Sequence, residues 1–221
     1  MEAGFTPATA LTTVVLLALA PFFAVMVTSF TKIVVVLSLL RNALGLQQSP
    51  PNVVLNGLAL VLTLYVMYPV GLEMREAFPP LDAEQSILDD PQALLEGVNT
   101  AKEPLRDFLV AHADPGQTEF FAETIRRSLP PERAAALTPT DLIVVIPSFT
   151  VSELAEAFQI GFMIFLPFLV IDLVVSNILL AMGMMMLSPT MISLPFKLLL
   201  FVVISGWTQL AHGLVLTYGV G

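Results

Sequence analysis

Charged residues inside long apolar tracts are the feature that most limits what this chain can become. The tracts are residues 11–40, residues 53–72 and the two arms of an apolar hairpin over 142–217. Three of them carry charge: Lys32 in the first, Glu153, Glu156 and Asp172 before the hairpin turn, and Lys197 after it. A helix needs about 20 apolar residues to cross a bilayer. A charge buried within one must find a partner, a hydrated cavity or a different protonation state. Tracts of this kind are helical and face other protein or water, not lipid on every side. The expected fold class is all-α, with membrane-type helical hairpins made from four kinked apolar elements.

Composition agrees. Apolar residues make up 56% of the 221 and charged residues only 12%, with a mean hydropathy of +0.85. Ordinary soluble proteins hold roughly 45–50% and about 25%. The net charge of −9 argues against a nucleic-acid partner, since phosphate neutralisation requires surplus Lys and Arg. There is no cysteine, hence no disulfide framework. The start of the chain lacks the basic n-region of a signal peptide, so cleavage there is not expected.

Within 11–40, Pro21 and the hydroxyl cluster Thr28-Ser29-Phe30-Thr31 interrupt the tract, giving one broken helix or two shorter pieces. Lys32, just after the cluster, reads as a residue snorkelling to an interface. Gly45 is placed to end the helix in a left-handed cap, and Asn52 to cap the next one. Residues 53–72 form a span free of charge.

At Glu73 the composition changes. Residues 73–141 contain fourteen acids and six bases, twenty of the chain's twenty-seven charges, and are cut by recurrent prolines. Short amphipathic helices are predicted over 92–100, 105–113 and 118–129. The chain thus divides into an N-terminal apolar hairpin (1–72), a small, acidic, water-exposed helical insertion (73–141) and a C-terminal apolar hairpin (142–221). Arg41 marks the short-loop side as cytoplasmic, which puts the insertion on the periplasmic or extracellular side.

The C-terminal hairpin turns through Ala181-Met182-Gly183-Met184-Met185-Met186-Leu187-Ser188. With a turn centred near Ser188, Lys197 lies level with residue 179. Asp172 is then roughly 10 Å away and Glu153 nearly 40 Å. A half-buried lysine with no partner in its own hairpin points to a second copy of the chain. Ser152 reads as an N-cap, with Glu153 or Glu156 at the positive end of a helix. The methionines fit helix-end packing or a flexible apolar gasket. A soft-metal site on a helix face shared by Met182, Met185 and Met186 lacks a supporting cysteine or histidine, so no metal or other cofactor is expected.

The segments 28–69 and 146–207, with TSFTK, LLRNALG, SELAEAFQIGF, MGMMM and LPFKLLLF, resemble the SctR/FliP family of export-apparatus core subunits. The turn LGLQQSPPN is more similar to the injectisome branch of type III secretion than to the flagellar one. The resemblance implies a ring-forming subunit of the bacterial inner membrane, present in five copies beside SctT-like and SctS-like partners, that passes unfolded proteins. It further implies a constriction at Met184, Met185 and Met186 and an ion pair between Glu153 and Lys197 of adjacent subunits, with Asp172 a buried polar residue. No enzyme is expected: a Walker loop is absent, and no nucleophile–base pair has a supporting motif. The rival reading is a proton or ion transporter using Asp172, Glu153 and Lys197 as a relay.

Overall fold

A computed structural model describes residues 7–77 and 91–219. Among these residues there are nine α-helices. They are α1 (Pro7–Met26), α2 (Phe30–Ala43), α3 (Asn52–Ala77), α4 (Pro91–His112), α5 (Pro115–Ser128), α6 (Pro131–Ala136), α7 (Leu142–Ala181), α8 (Pro189–Val203) and α9 (Gly206–Leu216). Two of them, α3 and α7, are long and apolar enough to cross a membrane. The pair α8 and α9, bent by 61°, makes a third candidate span.

The first tract is two helices. Thr28 donates to the Ala24 carbonyl at 2.6 Å and Thr31 to that of Val25 at 2.9 Å, so the hydroxyls occupy backbone acceptors at the break. The helix α2 ends as its sequence suggests. Gly45 adopts φ +79°, its N–H bonds to the Asn42 carbonyl, and that of Leu46 bonds to the Arg41 carbonyl. This is the paired-bond termination that a left-handed residue permits. Arg41 then reaches forward to Asn52 Oδ1 at 2.5 Å, tying the end of α2 to the start of α3.

At the core, α2 is a buried bar lying along α7. Ile33, Val36 and Leu37 are sealed against Leu55 and Ala59 of α3, Ala157 of α7 and Leu214 of α9. Leu40, Ala43 and Leu44 pack with Phe168 and Phe201. The helices approach closely at Gly161, where an added Cβ would lie 2.2 Å from Leu39 Cδ1.

The acidic insertion differs from its sequence reading in one respect. The segments expected at 92–100 and 105–113 lie in one helix, α4, which runs through Pro104 and ends at His112. A proline forfeits a backbone bond. Here the apolar face that continues past it, with Phe108 and Leu109 buried against Val145 and Phe149, outweighs the loss. Thus α4 packs on α3 and on the first turns of α7, and α5 packs on α7 as well. Ser152 lies inside α7, which begins at Leu142, so it is no N-cap. Its hydroxyl bonds to the Ser148 carbonyl and accepts the Asp114 N–H at 2.8 Å, fastening the insertion to α7.

Candidate functional site

Two charged clamps join α2 to α7, one at each end of α2. The first is built on Lys32, in the opening turn of α2 and 1% exposed. Its ammonium lies 2.9 Å from Glu153 Oε1 and 2.7 Å from Glu156 Oε2. Positions 153 and 156 are three apart on α7, so both carboxylates point toward the same lysine. Glu153 is 0% exposed whereas the Glu156 side chain is 50% exposed. The phenol of Tyr218 donates to Glu153 Oε2, and its ring lies under the Lys32 ammonium at 4.1 Å from the centroid. Behind it, Tyr218 meets Phe108 and His112 of the insertion. A buried charge is tolerated when paired and hydrogen-bonded. Both conditions, pairing and hydrogen bonding, are met at Glu153 by residues far apart in sequence, Lys32 and Tyr218.

At the other end of α2, Lys197 of α8 donates to Asp172 Oδ2 at 2.7 Å and to the Ala43 carbonyl at 3.2 Å. Ala43 is the last residue of α2, where carbonyls lack intrahelical partners and the helix end is negative. Ser193 completes the arrangement by donating to Asp172 Oδ1 at 2.5 Å.

Lys197 therefore has a partner in its own hairpin, contrary to the expectation from sequence. The error lies in the register. The turn is centred near Met184 and Met185, which puts Asp172 and Lys197 at equal heights on the two arms, 25 residues apart. A turn centred at Ser188 misplaces them by about two helical turns. The argument for a second copy from an unpartnered lysine accordingly falls away. Within one chain Glu153 meets Lys32 and Lys197 meets Asp172; Glu153 and Lys197 are not brought together. Lys32 was the charge whose role the sequence reading missed. Its position four residues before a buried α2 face (Val36, Leu37, Leu40) was the available signal.

The methionines lie beyond the second clamp. The helix α7 stops at Ala181, and Gly183 adopts φ +72° with its N–H on Leu180 and that of Met184 on Leu179, a second left-handed termination. Met182, Met185 and Met186 therefore do not share a helix face. Met184, Met185 and Met186 are 43%, 76% and 99% exposed in the turn between α7 and α8.

The profile of the FliP family matches residues 13–214, so the match runs through the acidic insertion as well as the apolar hairpins. The chain is 52% identical over 204 residues to the Yop proteins translocation protein R of Yersinia pestis, covering 92% of this chain and 93% of that one. It is 48% identical over 205 residues to the hypersensitivity response secretion protein HrcR of Ralstonia nicotianae, with 92% and 94% covered. To the virulence protein YscR of Salmonella typhimurium it is 48% identical over 192 residues, 87% of each chain.

Proposed function

The chain belongs to the FliP family, and from that premise we propose that it is a membrane subunit of a bacterial type III secretion export apparatus of the injectisome branch. It is a structural and gating component, not an enzyme. Five copies close around a passage beside SctT-like and SctS-like subunits in the inner membrane, with the insertion on the periplasmic side. Unfolded proteins cross through the passage.

Met184, Met185 and Met186 form the constriction. The observation that carries this reading is an exposed tip on a fixed base: unbranched thioether side chains are exposed in the turn, while the arms beneath them are joined by Lys197 and Asp172 and tied to α2 at Ala43. A collar of such side chains excludes water when closed and moulds to a variable guest. Apolar constrictions gate by dewetting in this way. Glu153 of one subunit pairs with Lys197 of the next by an exchange of partners on ring closure, because within the single chain both are buried against Lys32 and Asp172.

An ion relay through the same residues is less well supported. Glu153 and Asp172 stand nineteen residues apart on α7, about 28 Å along a helix, and each is held by its own lysine.

The test uses the absence of cysteine. A single cysteine at Met185 crosslinks to a secretion substrate stalled in the apparatus, while one at Thr124, exposed on α5, does not. Equal crosslinking at both sites, or none at either, overturns the gate at the methionines.

A further inference from the structure

We infer that Asp172 is a positioning residue for the methionine turn: together with Ser193 and Lys197 it forms the joint that sets where the turn stands. This rests on the gate reading above and deepens it, assigning to one residue of the clamp beneath the turn the placing of that turn.

The turn has little of its own to hold it in place. Its backbone bonds are short-range: Gly183 N–H to Leu180, Met184 N–H to Leu179, Leu187 N–H to Met184, and Met191 N–H and Ile192 N–H to Ser188. A Cβ added at Gly183 would meet nothing within 4 Å. The shape of the turn is thus local, and its position depends on how α7 and α8 are joined below it. Asp172 makes that joint with both oxygens, one to Ser193 and one to Lys197. Lys197 then carries the link to the end of α2 through the Ala43 carbonyl. One carboxylate on α7 therefore fixes α8 directly and α2 through the lysine. The joint lies nine residues below the end of α7, about 14 Å of helix, so a small change of angle at Asp172 becomes a larger displacement at the tip.

The two clamps are built differently. Glu153 is fully buried and shares its lysine with a second carboxylate and a tyrosine ring. The Asp172 side chain is 29% exposed and is the single carboxylate facing Lys197 among the described residues. Water or a neighbouring group can reach the second joint without unfolding the core. The upper clamp holds the body together, and the lower one sets the tip.

The test is made in the assembled apparatus, with a spin label on Met185→Cys. Asp172→Asn removes the charge that holds Lys197, and label mobility at position 185 rises while Tyr218→Phe at the other clamp leaves the spectrum unchanged. Asp172→Glu restores part of the wild-type spectrum. In unlabelled cells Asp172→Asn raises the ion leak severalfold with secretion idle. Where Asp172→Asn fails to assemble, Ser193→Ala decides, because it keeps the ion pair and loses only the hydroxyl; increased mobility supports the joint. An unchanged spectrum in whichever of the two variants assembles overturns it. Increased mobility with no increase in leak keeps the joint and removes the gate.

Discussion

Lys32 and Glu153, 121 positions apart, meet at 2.9 Å in a space from which water is excluded. The contact joins the start of α2 to the first third of α7. Each of these groups is costly to bury alone, since removing one partner of a buried pair leaves an uncompensated charge and costs about 3–5 kcal/mol.

Lys32→Met therefore strips two carboxylates of their cation at once. Its expected result is a loss of about 3–5 kcal/mol, seen as low protein levels and early thermal unfolding in detergent. Glu156→Gln, at a half-exposed position, is expected to cost no more than about 1 kcal/mol. Equal losses in the two variants would show that burial does not govern this clamp.

Tyr218→Phe keeps the ring beneath Lys32 and removes only the donor to Glu153. A buried acceptor left without its partner costs about 1–3 kcal/mol. The same variant loosens the insertion little, because the contacts with Phe108 and His112 are made by the ring. Thermal unfolding measures the first effect, and protease sensitivity of α4 the second.

The approach of α2 to α7 depends on Gly161. An alanine there puts a Cβ 2.2 Å from Leu39 Cδ1 and 3.0 Å from Leu39 Cβ. Overpacking of this kind costs about 1–3 kcal/mol. Gly57→Ala on α3, where a Cβ meets nothing within 4 Å, is expected to be neutral or to stabilise by up to about 1 kcal/mol. Comparison of the two melting temperatures separates steric closeness from helix propensity.

Left-handed termination makes a fourth case. Gly45→Ala places a side chain at φ +79°, at a cost of about 1–2 kcal/mol. Gly183→Ala meets the same penalty at φ +72°, and it alters the Met turn. The first variant lowers stability with the leak unchanged; the second raises the leak as well. Ion flux measured in cells with secretion idle distinguishes them.

Much of this protein is local and therefore legible in its sequence. Apolar tract length gave α3 and α7 but not the 61° bend that divides the last arm into α8 and α9, the glycine after Arg41-Asn42-Ala43-Leu44 gave the end of α2, and the hydroxyls at 28–31 gave the break before it. The motifs around Lys32, Glu153 and Lys197 carried the family. Each of these depends on residues within a few turns of one another, where periodicity and capping chemistry operate.

Tertiary structure alone decided which charges meet. Pairing across a hairpin depends on where both helices end, and the stop at Gly183 moved the register by about two turns and brought Lys197 to Asp172. Pairing across the whole chain depends on packing that no local pattern encodes, and it took Lys32 from a supposed interface to Glu153 and Tyr218. The physical reason is that a buried ion is placed by the low-dielectric surroundings that several helices build together, while a helix is placed by its own neighbours in the chain.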